Sequence, residues 1–138
     1  MANTRTQGRA EAWIRDTWLP EQFRRPFTKR KLKLSSGGYF EFDAVSSDRR
    51  VIVTVSTSRS KTSSGRRGPG KMNKIRSDIL FLSLRKAGRR IVVLTERDMY
   101  RNCAQQQEMG RLPRWVTFLL ARLPKLLAKS LRRARRLG

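Results

Sequence analysis

Few side chains in this sequence could do covalent or acid–base chemistry. The chain contains no histidine and one cysteine, Cys103. The lack of histidine excludes Ser-His and Cys-His nucleophilic pairs, histidine-ligated zinc sites and histidine-based nucleases. A single cysteine cannot form an intramolecular disulfide, and Cys103 lies in a polar stretch typical of an ordinary helix. Carboxylates, lysines and arginines are therefore the groups left for chemistry or binding.

Cations dominate the charged residues. Lys and Arg number 33 against 10 Asp and Glu, a formal net charge of +23 over 138 residues. Repulsion among so many like charges destabilises a compact chain unless an anion neutralises them. A phosphate backbone is the favoured anion, because each cation that neutralises a phosphate releases a condensed counterion. An anionic membrane surface and a merely solubilising surface are the alternatives left by composition.

Neither end of the chain predicts a targeting or membrane segment. Residues 1–13 lack the apolar core of a secretory signal. The longest apolar stretch, residues 115–127, is interrupted by Arg122, Pro124 and Lys125 and is too short to cross a bilayer. The length fits one domain. We therefore expect a cytoplasmic protein, associated with the nucleoid if its partner is DNA.

Apolar spacing predicts the elements that would position the charged groups. A first helix over residues 8–19 is expected to end at Pro20, and a basic connector follows. Strands are predicted over residues 31–35, 39–46 and 51–58. The last two are joined by four residues, which predicts an antiparallel hairpin. In the middle strand, alternation assigns one face to its apolar residues, Phe40, Phe42 and Ala44.

The second half of the chain predicts alternating helices and a strand. A loop rich in Ser, Gly and Arg precedes a helix over residues 71–87. An interior strand over residues 90–95 leads to a helix that ends near Met109, with Thr95 and Asp98 as a capping box. The apolar face of the first of these helices consists of Met72, Ile75, Ile79 and Leu82. We divide the chain into a core, residues 1–112, and an amphipathic, basic helical extension, residues 113–138, kinked at Pro124.

This order of elements, with the segment Glu41-Phe42-Asp43-Ala44-Val45-Ser46 and the strand over residues 51–58, resembles the PD-(D/E)XK nuclease superfamily. The resemblance covers about residues 8–100. It implies an α/β fold with a restriction-endonuclease-like core (αβββαβα, a mixed sheet flanked by helices), to which the basic C-terminal helix is added. In that family an acidic residue ends the second strand and a Glu-x-Lys or Asp-x-Lys lies on the third. These groups hold Mg²⁺ and orient a water for phosphodiester hydrolysis.

The sequence keeps one of the three family residues. Asp43 matches the first acidic position, whereas Thr54 stands at the second and Ser56 at the lysine. A metal site reduced to one carboxylate binds Mg²⁺ poorly, since the ion prefers several charged oxygens. The resemblance therefore implies a protein that binds nucleic acid without cleaving it and needs no cofactor.

An active Mg²⁺-dependent endonuclease with relocated catalytic residues stays open as an alternative. Glu41 shares a strand face with Asp43, so these two carboxylates could hold the metal. Lys74 on the following helix could replace the lost lysine, as some family members relocate a catalytic residue there. Ordinary ion pairing with neighbouring cations is the competing interpretation. The residues that would carry relocated chemistry are Asp43, Glu41 and Lys74, with Lys71, Asp78 and Glu11 on the adjoining helices.

Three basic clusters are predicted to bind phosphates rather than read bases, because no base-reading motif is present. DNA is favoured over RNA, and a homodimer or a larger DNA-processing complex is compatible with the pattern. Docking of the amphipathic C-terminal helix on a membrane surface or a partner is a second alternative. The clusters are the connector (Arg24, Arg25, Lys29, Arg30, Lys31), the loop (Arg59, Lys61, Arg66, Arg67, Lys71) and the tail (Arg132, Arg133, Arg135, Arg136).

Overall fold

A computed structural model of the chain describes residues 4–61 and 69–137. The fold is α/β, as predicted, with five strands in one open mixed sheet and helices on both faces. The elements are α1 (Thr4–Trp13), a π-helical turn (Ile14–Trp18), α2 (Leu19–Phe23), β1 (Phe27–Lys33), β2 (Tyr39–Ser46), β3 (Val51–Ser56), α3 (Pro69–Ser83), β4 (Arg89–Leu94), α4 (Arg97–Glu108), β5 (Val116–Leu120) and α5 (Lys125–Leu137).

The strands follow one another across the sheet in chain order. β1, β2 and β3 form an antiparallel meander, so the predicted β2–β3 hairpin is confirmed. β3, β4 and β5 run parallel, and α3 and α4 make the crossovers that parallel pairing requires. The carboxyl ends of these three strands share one edge of the sheet, named here the carboxyl edge. Because each strand is followed by a helix, the chain enters α3, α4 and α5 from this edge.

The helices divide the core into two layers. On one face of the sheet, α3 and α4 pack on residues such as Ile52 and Val92. On the other, α1, α2 and α5 pack on residues such as Val53 and Val93. β3 is buried along its whole length, as expected for an interior strand between two helical layers. The predicted apolar face of α3 is confirmed, because Met72, Ile75, Ile79 and Leu82 all lie in the first layer.

The first helical segment does not end at Pro20, contrary to the prediction. Pro20 lies in the first turn of α2, where its missing N–H needs no intrahelical partner. The preceding π-helical turn makes this possible because its hydrogen bonds join residues five apart, as in the bond that the Leu19 N–H donates to the Ile14 carbonyl. Arg24, in a left-handed conformation with φ of 54°, then ends the helix.

A β-bulge in β2 changes the predicted face of Ala44. Opposite Thr28 and Arg30 lie Val45 and Phe42, so β2 has one more residue than β1 over this span. Phe42 and Val45 consequently face the same layer, beside α3, although they are three residues apart. Ala44 packs in the opposite layer rather than with Phe42. Alternation fails here because a bulge shifts every later residue of its strand by one position.

β1 and β4 begin before their predicted first residues. β1 starts at Phe27 and so includes residues assigned from the sequence to a basic connector. Lysines and arginines are compatible with this position, because β1 lies at the sheet edge, where charged side chains are common. α4 begins without the predicted capping box. The Thr95 hydroxyl donates instead to the Glu96 carboxylate, at 2.8 Å.

The predicted helix over residues 113–123 is wrong. Val116–Leu120 forms β5, which pairs in parallel with β4. β5 provides hydrogen-bond partners for the backbone N–H and C=O groups of β4 that β3 leaves free. Its side chains Val116 and Phe118 face the α3–α4 layer. Helical structure resumes after Pro124, whose ring suits the start of a helix better than its interior. None of the helices formed by the described residues is long and apolar enough to cross a bilayer.

Candidate nucleic-acid interface and acidic cleft

Asp43 lies where β2 and β3 separate. The described residues of the two strands pair only at Ala44–Val53 and Val45–Ile52. Beyond this point β2 continues beside β1, and β3 continues beside β4. In the resulting fork, the Asp43 Oδ2 accepts a hydrogen bond from the Val55 N–H at 2.7 Å. A side-chain carboxylate thus replaces a backbone carbonyl as the partner of β3.

α1 and its π-helical turn bring a second carboxylate to this fork. Arg15 Nη1 donates to the Asp43 backbone carbonyl at 3.5 Å and lies 3.6 Å from Glu11 Oε1. Lys29 Nζ, from β1, lies 3.5 Å from the same Glu11 oxygen. Arg15 therefore connects the helix to the bulged strand and positions Glu11 within electrostatic range of Asp43.

α3 supplies a third carboxylate from the opposite layer. The Asp78 side chain is only 11% exposed, and its Oδ2 accepts a hydrogen bond from Lys74 Nζ at 2.9 Å. Burial raises the pKa of Asp78, and Lys74 counteracts this rise. Burial also raises the pKa of Asp43 to about 7, with the Val55 hydrogen bond opposing and the charge of Glu11 contributing. The fork is therefore an acidic cleft in which Asp43 gains or loses its proton near neutral pH.

The predicted catalytic residues divide into two groups. Asp43 and Lys74 approach each other closely enough for the charge of Lys74 to lower the Asp43 pKa. Glu41, by contrast, is 53% exposed and lies 3.7 Å from Lys29. The reason is that the Asp43 carboxylate turns into the fork to accept the Val55 N–H, whereas Glu41 stays on the solvent side of β1 and β2.

Thr54 and Ser56, the residues that differ from the motif the sequence resembles, are buried on β3. Thr54 is 1% exposed, and its hydroxyl has no hydrogen-bond partner among the described residues. Ser56 is also buried, and its Oγ accepts a hydrogen bond from the Ser58 N–H at 3.4 Å. Neither side chain supplies a charge to the cleft.

The cleft as arranged does not fit Mg²⁺. In the part of the chain that the structure describes, no three Asp, Glu, Cys or His side chains are grouped so as to hold a metal ion. One Asp43 oxygen is bonded to Val55 N–H, and Asp78 is bonded to Lys74. Mg²⁺ requires near-octahedral oxygen ligands at about 2.0–2.1 Å. The carboxylates are instead neutralised by protonation, hydrogen bonds and nearby cations.

The start of the basic loop is held at the carboxyl edge by α4. Asp98 Oδ2 accepts hydrogen bonds from the Ser60 N–H at 3.0 Å and the Lys61 N–H at 3.3 Å. Arg59 Nε lies 3.7 Å from the same oxygen. From α3, Lys71 Nζ donates to the Lys61 carbonyl at 3.4 Å. The described ends of the loop thus lie beside the first turns of α3 and α4.

The tail cluster reaches the same edge. Arg135 forms a bidentate ion pair with Glu96, with both nitrogen–oxygen distances 3.1 Å, and also donates to the Thr57 carbonyl. Glu96 and Thr57 follow the carboxyl ends of β4 and β3. Described residues from two clusters that are far apart in the sequence therefore lie at the same edge.

The cations predicted to bind nucleic acid differ in how far local acids neutralise them. Arg25 pairs with Asp48 at 2.6 Å, and Lys29, Arg59 and Arg135 have the partners given above. Arg66 and Arg67 lie outside the described residues. The predicted cations that form no ion pair with any described residue are Arg24, Arg30, Lys31, Lys61, Lys71, Arg132, Arg133 and Arg136.

Comparisons with family models, curated proteins and solved structures found no match to this chain. The arguments that follow therefore rest on the geometry of the chain itself. Sequence reasoning missed Asp98 as the anchor of the loop and Glu96 as the partner of Arg135. No local signal could have identified them, because these contacts join residues about 37 to 39 positions apart.

Proposed function

We propose that this protein binds the phosphate backbone of a nucleic acid, DNA in the first instance, through a nuclease-like α/β scaffold that does not cleave it. The observation that carries the proposal is that described residues of the loop and tail clusters, Arg59, Lys61 and Arg135, lie at the carboxyl edge. α3, α4 and α5 all follow strands that end at this edge. Helix N-termini present free N–H groups and partial positive charge, which favour phosphate.

The balance of paired and unpaired charge supports a polyanionic partner. Acids are too few to neutralise the cations, and several of the acids are used to hold elements together. Several exposed cations of β1 and α5, among them Arg30, Arg132 and Arg133, consequently form no ion pair with any described residue. The cations that do form ion pairs are Arg15, Arg25, Lys29, Arg59, Lys74 and Arg135.

The nuclease-like part of the proposal is supported by topology and by Asp43. A helix, an antiparallel meander, and a helical crossover to a parallel strand occur in the order that the resemblance implies. Asp43 lies at the fork between the second and third strands, and the third strand carries Thr54 and Ser56. A cleft lacking a suitable ligand set favours binding without hydrolysis.

Binding is tested by filter-binding titration of a labelled duplex over a range of salt concentrations. We expect affinity to fall steeply with salt, because each phosphate contact releases a counterion. Arg132→Gln with Arg136→Gln, which flank Arg135 on α5, should weaken binding and reduce the log–log salt slope by about 2. The matched control is Arg111→Gln with Arg114→Gln, two exposed arginines before β5, for which we expect little change. Weak, salt-insensitive binding would contradict the proposal.

Cleavage is tested separately with supercoiled plasmid in Mg²⁺ or Mn²⁺. We expect the plasmid to stay intact, because the cleft lacks grouped metal ligands among the described residues. Nicking or linearisation by the purified protein that disappears in both Asp43→Ala and Asp78→Asn would instead establish an active endonuclease with relocated residues. Cleavage that persists in both variants would identify a contaminating nuclease.

A further inference from the structure

The outer half of the β1–β2 hairpin has one face open to solvent. Lys31 lies opposite Glu41, and Lys33 lies opposite Tyr39. All four side chains are exposed and alternate with apolar residues, such as Leu32, that face α3. We name this surface, formed by Lys31, Lys33, Tyr39 and Glu41, the open ribbon face.

The opposite side of the same hairpin is fixed to α3. The rings of Phe40 and Phe81 stack with centroids 4.1 Å apart. The Ser35 N–H donates to the Leu84 carbonyl at 2.7 Å, and Arg85 donates to the Lys33 carbonyl at 3.0 Å. The open ribbon face is therefore a pre-formed platform rather than a free hairpin.

The chemistry of this platform suits unpaired nucleotides. Tyr39 is 63% exposed, so its ring is accessible for stacking by a base. Lys31 and Lys33 lie two residues apart on one strand and make a positive track beside that ring. Proteins that bind single strands combine such a track with aromatic rings on which bases stack. Glu41 repels phosphate but can accept a hydrogen bond from a base amino group.

The combined thickness of the hairpin and α3 argues against insertion of the hairpin into the major groove of a duplex. The major groove is about 12 Å wide and admits a helix or a two-stranded ribbon, but not both layers together. The hairpin is backed by α3, and a helix alone is about 10–12 Å across. Bases that are already unpaired can reach a flat surface without entering a groove.

We infer that the open ribbon face binds single-stranded nucleic acid, with one base stacked on Tyr39 and the flanking phosphates contacted by Lys31 and Lys33. This inference rests on the proposed binding to nucleic acid and adds the strand state and the site. It assigns the loop and tail clusters at the carboxyl edge to general backbone attraction, and the ribbon to recognition of unpaired bases.

Fluorescence anisotropy with labelled oligothymidylate and with a labelled duplex of equal length tests the inference. Tyr39→Ala should weaken binding of the single strand by about 5- to 100-fold, the usual contribution of one stacked base. It should change duplex binding less than about 2-fold, because a paired base cannot stack on the ring. Tyr39→Phe, which keeps the ring, should retain single-strand affinity. Thermal unfolding of each variant controls for folding, which an exposed position should not disturb.

The charge component is tested with Lys31→Ala and Lys33→Ala against the matched pair Lys125→Ala and Lys129→Ala on α5. The ribbon pair should reduce single-strand affinity more than duplex affinity, and the α5 pair should not show this preference. Unchanged single-strand affinity in Tyr39→Ala, or equal losses on both substrates, would overturn the inference while leaving the proposed function intact. Binding to neither substrate by the wild-type protein would overturn both.

Discussion

Asp43 illustrates how one buried carboxylate can be used for architecture. Its Oδ2 bonds to Val55 N–H and its backbone carbonyl accepts from Arg15, so it joins β2 to β3 and to the helical segment before β1. Burial makes its ionised form costly, and the pKa is raised to about 7 for that reason first. Asp43 therefore stabilises the point at which the two strands separate.

The raised pKa of Asp43 predicts an inverse dependence of stability on pH. In the folded protein Asp43 keeps its proton up to about pH 7, whereas in the unfolded chain it loses the proton near its ordinary pKa of 3.8. The folded state thus binds more protons between these values, so the free energy of unfolding should fall as pH rises from about 4 to 7. Asp43→Asn keeps an oxygen acceptor for the Val55 N–H and has no proton to lose, so it removes this pH-dependent loss of stability. We expect it to be more stable than wild type above pH 7, by on the order of 4 kcal/mol at most.

Denaturant titrations of wild type and Asp43→Asn at several pH values measure this difference. Asp78, whose pKa is also raised, contributes with the same sign in both proteins, and its charge acts on Asp43. Glu108→Gln, an exposed acid on α4, is the control and should follow the wild-type profile. Parallel profiles for Asp43→Asn and wild type would show that Asp43 is not the group responsible.

At the scale of elements, two features outside the hydrophobic pattern shape the site. The bulge in β2 ends normal pairing with β3 and opens the fork. The last turn of α5 lies at the carboxyl edge, where Arg135 contacts Glu96 and Thr57. Bulges are frequent near functional sites because they redirect a side chain without changing the fold. The acidic cleft and the basic edge are consequently held by the same sheet.

Removal of the Arg135 side chain should loosen α5 from the carboxyl edge. Arg135→Ala leaves the half-buried Glu96 carboxylate without its bidentate partner, and we expect a loss of about 1–3 kcal/mol in the free energy of unfolding. Denaturant unfolding measures the loss, and amide hydrogen exchange over residues 125–137 should quicken. Arg136→Ala, an exposed neighbour on the same helix, should cost less than about 0.5 kcal/mol. Equal stability of the two variants would contradict a clamping role for Arg135.

At the scale of the whole molecule, electrostatic repulsion among the cations adds to the free-energy cost of folding. A net charge of +23 on 138 residues opposes compaction, and the sheet brings several of these cations to one edge. Cys103 takes no part in this balance, since burial in the α3–α4 layer raises its pKa to about 12. A bound polyanion would relieve the repulsion and so stabilise the fold.

Thermal unfolding should therefore respond to both salt and nucleic acid. At low ionic strength the midpoint should rise as salt is added, because screening weakens the repulsion among cations. A short duplex added at low salt should raise the midpoint further, and the same duplex at high salt should have little effect. Uncharged dextran at equal mass is the control for crowding. A midpoint unaffected by the duplex at low salt would argue against nucleic-acid binding.

Local patterns in the sequence were sufficient for several parts of this protein. Alternation in residues 51–56 indicated the face of the sheet on which each apolar side chain packs, and helical spacing in α3 indicated its buried face, because both periodicities depend only on backbone geometry. Composition by itself excluded histidine chemistry, and the polyanionic partner that it favours stays a proposal. The restriction-endonuclease-like identity of the core, which a motif suggested, stays a proposal.

Only the tertiary structure decided the features that depend on distant partners. Residues 116–120 become a strand because the edge of β4 offers hydrogen bonds that a helix there would leave unmet. Asp43 has Glu11 and Asp78 as neighbours because a bulge and two helices on opposite faces meet at one fork. Residue type and local spacing set which groups were present in this chain. Long-range pairing set which of them meet, since burial and charge act through space and not along the chain.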